Sequence, residues 1–98
     1  MVTLSEENYL KAIYHLAKHE NASVSTNAIA QKMQTKASST TDMIKKLSEK
    51  GHVEYQKYKG VKLTEKGRLE AVSVIRKHRL WEVFLVQKNF QKSVLSND

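Results

Sequence analysis

Residues 26–63 read TNAIAQKMQTKASSTTDMIKKLSEKGHVEYQKYKGVKL, and the spacing of the apolar positions changes along the stretch. Ile29, Ala30 and Met33 recur at helical intervals over Asn27–Met33, and Met43, Ile44 and Leu47 do the same over Ala37–Lys50. The polar residues Gln34–Lys36 separate the two runs. Gly51 ends the second, because glycine takes the left-handed conformation that closes a helix without steric cost. Val53, Tyr55, Val61 and Leu63 then alternate with polar residues over His52–Tyr55 and Val61–Leu63, on either side of a Gln56–Gly60 tip. The expected order is helix, turn, helix and a two-stranded wing.

The second helix opens with four hydroxyls, Ser38, Ser39, Thr40 and Thr41, all expected at the surface, and carries Lys45 and Lys46 further along. Small polar side chains let a helix approach base edges in a major groove, while lysines on the helix and wing meet phosphates. The formal net charge of +7 and a pI near 9.7 favour a polyanionic partner. Double-stranded DNA is therefore the implied partner.

Composition excludes several other classes. Ninety-eight residues make one small domain. There is no cysteine, so disulfides and thiolate metal sites are ruled out and a cytoplasmic setting is expected. No apolar run approaches the roughly 20 residues of a membrane helix, and the N-terminus has no export pattern. No nucleophile–base pair, phosphate-binding glycine loop or paired carboxylate set points to an enzyme. Proline is absent and glycine occurs three times, which fits a mainly α chain with one small β-hairpin.

Outside the central stretch, Leu4–His19 reads as a first helix capped by Ser5, with Glu6 and Glu7 at the positive end of its dipole. Leu10, Ile13, Tyr14, Leu16 and Ala17 form its apolar stripe, and Asn8, Lys11, His15 and His19 lie opposite. Glu7 and Lys11 are spaced as an ion pair along the helix. Glu20–Ser25 reads as a polar connection, and Thr26 as the cap of the next helix. Thr64 is expected to cap a long final helix reaching about Lys88, with Asn89–Asp98 a disordered end. Leu69, Val72, Ile75, Leu80, Val83, Phe84 and Val86 give that helix more apolar surface than one winged helix needs, implying a partner helix or a dimer face. Trp81 reads as a core or interface residue. The expected organisation is a winged helix-turn-helix over 1–63, a linking helix over 64–88 and a tail over 89–98.

Four blocks carry a resemblance: SEENYLKAIYHL, VSTNAIAQKM, SSTTDMIKKLSEKGHVEYQKYKGVKLTEKG and RKHRLWEVFL. In this order and spacing, over about residues 4 to 88, the chain resembles the diphtheria toxin repressor and manganese transport regulator family of bacterial transcription regulators. The resemblance implies Mn(II) or Fe(II) as co-repressor, and a homodimer on a palindromic operator that represses metal-uptake genes. Metal favouring the DNA-competent state would shift the population toward repression.

Carried onto this chain, the family's DNA contacts fall on Lys36, Ser38, Ser39, Thr41 and Asp42, with Lys45, Lys57 and Lys59 as phosphate contacts. Asp42 would either accept from a cytosine amino group or orient its neighbours. The metal ligands implied are His78 and Glu82, one helical turn apart, with the amide oxygen of Asn8. Lys11 stands where the manganese-type regulators carry an acidic ligand, which opposes a two-metal cluster. The family also continues with a helix of further ligands that QKSVLSND does not resemble, so the primary site is expected to be incomplete. His15 and His19 make a weaker second pair with no acid nearby. The alternative reading is a metal-independent winged-helix module that binds DNA or another protein.

Overall fold

A computed structural model describes residues 2–19 and 22–96, the side chains of 84–96 excepted. Its elements are α1 (Leu4–Leu16), α2 (Thr26–Met33), α3 (Ala37–Glu49), β1 (Val53–Gln56), β2 (Gly60–Leu63) and α4 (Glu65–Ser96). This is a winged helix-turn-helix followed by a long helix, and α4 sets the 58 Å long axis of a molecule 26 by 25 Å across.

α1 starts at Leu4, as expected, but its cap is a different residue. Thr3, not Ser5, is the cap. Its hydroxyl accepts from the Glu6 amide at 3.2 Å, and the Glu6 carboxylate accepts from the Thr3 amide at 3.0 Å. This reciprocal box satisfies two amides that the helix geometry leaves without carbonyl partners. The helix ends at Leu16 rather than His19. Its buried side is Tyr9, Leu10, Ala12 and Ile13, while Tyr14 is 38% exposed, so the stripe is rotated from the expected one.

Ser25, not Thr26, caps α2, accepting from the Ala28 amide at 3.0 Å. α2 closes on Gln34 in the left-handed region, which turns the chain into α3. From α3, Ile44 and Leu47 are fully buried and Met43 only partly so. Thr40 is also fully buried, which corrects the expectation that all four hydroxyls face out. It lies four residues before Ile44 and seven before Leu47, on the same stripe.

β1 and β2 pair antiparallel, with Val53 opposite Leu63 and Gln56 opposite Gly60. The strands begin one residue later and one earlier than expected, and the turn is Lys57–Tyr58–Lys59. Residues 22–25 are not merely a connection. Val24 and Val61 exchange amide–carbonyl hydrogen bonds of 2.7 and 2.8 Å, tying the wing to the residue before the α2 cap. Gly60 permits this approach, since a Cβ there would lie 2.7 Å from the Val24 carbonyl oxygen.

The core gathers Leu10 and Ile13 of α1, Ile29 of α2, Ile44 and Leu47 of α3, Val53 and Val61 of the wing and Ala71 of α4. The first two turns of α4 are therefore part of the head. The Thr64 hydroxyl accepts from the Gly67 amide at 3.0 Å and lies 2.7 Å from the Gly51 carbonyl oxygen, and Lys66 Nζ donates to the Lys50 carbonyl at 2.9 Å. Gly67 packs directly on the backbone of His52, where a Cβ would run into the carbonyl. The expected stop near Lys88 is overridden, as α4 continues through Ser96 and replaces most of the expected disordered end. Residues 97 and 98 lie outside the described residues.

Candidate nucleic-acid interface

α3 begins differently from the other helices of the head. Side-chain oxygens cap α1 (Thr3), α2 (Ser25) and α4 (Thr64), but Lys36 at the α3 N-cap gives no side-chain hydrogen bond. The first-turn amides of α3, at the positive end of its dipole, thus lie beside a cation. Lys36, Ser38, Ser39, Asp42 and Lys45 are all exposed, as is Lys46. Thr41 is half-buried, and its hydroxyl donates to the Ala37 carbonyl at 3.0 Å, which leaves its methyl and an oxygen lone pair for an outside partner.

The solvent side of α3 is thus a mixed hydroxyl–lysine surface with one carboxylate, and its core side contains the buried Thr40. Thr40 Oγ1 makes no hydrogen bond in the structure, so this threonine is packed as an apolar group. The spacing of Thr40 with Ile44 and Leu47 was the signal for that.

Lys57 and Lys59 are exposed on the wing turn. Between them, Tyr58 is 95% exposed with φ of 71°, a conformation uncommon for a residue with a side chain. The Lys57 ammonium lies 5.5 Å from the centre of its ring. Sequence reasoning passed over this tyrosine, although an aromatic between two lysines at a hairpin tip was there to be read.

A second site was implied on α1 and α4. Asn8 and His78 are half-buried and Glu82 is exposed. Glu7 and Lys77, the residues immediately before Asn8 and His78, form an ion pair with Nζ–Oε distances of 2.8 and 3.1 Å, so the structure brings these two stretches of α1 and α4 together. His78 and Glu82 are an imidazole and a carboxylate of the type borderline divalent ions take. Among the described residues, no three histidine, cysteine, aspartate or glutamate side chains converge on one point. The donors therefore fit part of a coordination sphere and do not complete one. His15 and His19 are exposed on and just beyond α1.

The residue before Glu7 makes a contact that sequence reasoning missed. Glu6 is 3% exposed, and the Lys50 ammonium lies 2.8 Å from Oε1 and 2.7 Å from Oε2. The hydrogen bond from Lys50 and those from Thr3 outweigh burial and hold the Glu6 carboxyl down at about 2. The C-terminal end of α3 is thereby fastened to the first turn of α1. The Thr3-x-x-Glu6 spacing signalled the cap, but no local pattern signals a partner 44 residues away. His52, buried beside this junction, has its pKa lowered by burial first and by the Lys66 charge next, so it is held neutral.

On the α4 face, Leu69, Leu80, Trp81 and Val83 are 51 to 73% exposed. Trp81 is therefore not a core residue of the single chain. Phe84 and Val86, expected on the same face, lie outside the described side chains. No described helix is long and apolar enough to cross a membrane.

The fold defines a winged-helix protein, with an exposed hydroxyl–lysine face on its third helix. Residues 1–61 match the N-terminal DNA-binding domain of the iron-dependent repressors, and residues 64–94 match their metal-binding and dimerisation domain. The chain belongs to the iron-dependent repressor family, as its four sequence blocks implied. It is 41% identical over 85% of its length to an HTH-type transcriptional regulator of Methanocaldococcus jannaschii, of which it spans 66%. It is 35% identical over 87% of its length to the HTH-type transcriptional regulator MntR of Oceanobacillus iheyensis, of which it spans 57%. The crystal structure of ScaR with bound Zn2+ superposes with a TM-score of 0.68 at 38% identity, covering 85% of this chain and 38% of that one. The chain thus spans two thirds or less of each of these proteins.

Proposed function

We propose that this chain is the DNA-reading part of a metal-responsive transcription repressor, not an enzyme, acting in the cytoplasm. The observation that carries the reading is the exposed α3 surface, which runs from an N-terminus without a side-chain cap. Lys36, Ser38, Ser39, Thr41 and Asp42 are the base-edge candidates in a major groove. Lys45, Lys57 and Lys59 grip phosphates, each steepening the salt dependence of binding by about one unit of slope. The head over 1–63 reads the DNA, and the helix from residue 64 onward joins it to the metal-binding and dimerisation half. Two heads of a homodimer would sit about one helical turn apart on a palindromic operator, such as one controlling metal-uptake genes.

Mn(II) or Fe(II) is the proposed co-repressor, with His78 and Glu82 on α4 and Asn8 on α1 as its ligands in this part of the protein. When bound, the ion supplies a fixed positive charge that joins the two helices. The residues of the chain set where that joint falls, because the Glu7–Lys77 pair already lies beside it. The second reading, DNA binding without metal control, is favoured by the incomplete donor set among the described residues.

The test is binding of this chain to duplexes recovered from a random pool, with Mn(II), with Fe(II) under anaerobic conditions, and with chelator, alongside its mass in solution. Metal-stimulated binding that His78→Ala abolishes supports the co-repressor reading. Equal binding under all three conditions establishes the metal-independent one, and recovery of no duplex refutes DNA reading.

A further inference from the structure

The wing turn contains a side chain that the chain's own packing does not explain. Tyr58 is 95% exposed, so its ring stabilises nothing in the core. Its φ of 71° is a left-handed conformation that an L-residue with a side chain adopts only at a steric cost. Glycine or asparagine would turn the same Lys57–Tyr58–Lys59 corner more cheaply. Its flanking residues are both lysines, and one ammonium lies 5.5 Å from the ring centre. A flat aromatic group between two cations on a projecting turn matches a narrow anionic slot with an edge to read at its floor.

We propose that Tyr58 is a specificity-determining DNA contact, its ring entering the minor groove beside the half-site while Lys57 and Lys59 meet the phosphate rims. The proposal rests on the DNA-reading function proposed above and adds a second reading point to α3. The B-form minor groove is about 6 Å wide, so a ring fits edge-on, and its floor presents acceptors on A·T pairs. The phenol hydroxyl donates to an adenine N3 or thymine O2. A G·C pair adds the guanine N2 amino group at the centre of that floor, which keeps the ring from reaching the acceptors. The wing therefore selects A·T pairs at a position that α3 does not touch.

The experiment begins with duplexes that the unaltered protein recovers from a random pool. If it recovers none, DNA reading itself fails. With a duplex in hand, the pairs flanking the half-site are changed from A·T to G·C and to inosine·cytosine, which has a G·C-like major groove without the minor-groove amino group. The expected result is a roughly five- to tenfold loss of affinity with G·C and recovery with inosine·cytosine. Tyr58→Ala should lose this discrimination while keeping the salt slope. Tyr58→Phe should bind A·T flanks more weakly but keep part of the G·C penalty because its ring remains, and Lys57→Ala and Lys59→Ala should lower the slope and keep the discrimination. Thermal unfolding of each variant confirms that the exposed turn tolerates the change. Equal flank preference and affinity in Tyr58→Ala and the unaltered protein would overturn the proposal and leave the tyrosine to a protein partner. Loss in G·C that inosine·cytosine does not restore would overturn it too, since the reading would then be in the major groove.

Discussion

The first turn of α4 and its middle are parts of one helix with opposite relations to the head. At Thr64–Gly67 the helix is held by the Thr64 hydroxyl, by Lys66 on the Lys50 carbonyl and by backbone contact at Gly67. At Lys77–Val83 the helix meets α1 through an ion pair whose lysine is about half exposed, and Leu80, Trp81 and Val83 are more than half exposed. The root of α4 is thus fixed to the head by backbone contact, whereas the seam at Glu7–Lys77 further along includes a partly exposed ion pair. A regulator whose control lies at that seam needs this division: one region that holds the reading face and another that a ligand or partner can bias.

Gly67→Ala should break the comparison most forcefully. The new methyl meets the His52 carbonyl, which is backbone and cannot rotate away, so the α4 root must lift from the head. A loss of about 3 kcal/mol or more is expected in chemical denaturation, at the upper end for overpacking. A loss below about 0.5 kcal/mol would show that the root is not seated as described.

Glu6→Gln probes the locked region electrostatically. It removes the charge that holds Lys50 to α1 and should cost about 1–3 kcal/mol, less than a fully buried pair because Lys50 is partly exposed. Since the folded Glu6 pKa is lowered from 4.5 to about 2, its contribution is complete above pH 4.5 and disappears as pH falls toward about 2. His52, also lowered, adds a loss that begins as pH drops below 6.5, where the unfolded imidazole takes up protons first. Denaturation midpoints measured from about pH 7 down to about pH 2.5 should therefore fall, and in Glu6→Gln the part of the slope below pH 4.5 should flatten. An unchanged slope in the variant would remove the ion pair from the account.

Much of this division was legible in the sequence, but not all. The α2–turn–α3–wing order, the Gly51 stop and the Thr64 cap follow from periodicity and local capping, which act within a few residues. What escaped was mostly non-local. Val24 joins the wing through Val61, far along the chain, Glu6 meets Lys50 across 44 positions, and Gly67 is required by a backbone that folds back onto it. Thr40 is a different case, because its stripe was visible and the run of four hydroxyls obscured it. At the candidate site, the residue types on α3 were readable, whereas the forced conformation of Tyr58 emerges only in the folded turn.

Lys77→Ala addresses the weak region directly. The Glu7–Lys77 pair is the kind of partly exposed contact that contributes about 0.2–1 kcal/mol at low salt and less as ionic strength rises. The variant should differ from the unaltered chain by that amount in dilute buffer and converge with it at high salt. A loss of about 2 kcal/mol that persists in salt would mean that the seam is locked after all.

The smallest effect on the folded chain is expected from Leu80→Ser combined with Val83→Ser. Leu80 is 73% exposed and Val83 51%, so their removal takes little apolar area from the single chain, and its stability should change by no more than about 0.5 kcal/mol. The same change should be large where these residues meet a second copy, because an outward apolar stripe on a helix stabilises only what covers it. Unfolding measured at low concentration and mass measured by sedimentation at high concentration separate the two. An unchanged midpoint with a fall from dimer to monomer would assign the face to self-association. If the mass is unaltered and stability drops by about 2 kcal/mol, the stripe packs within the chain, and the middle of α4 belongs to the fold no less firmly than its root.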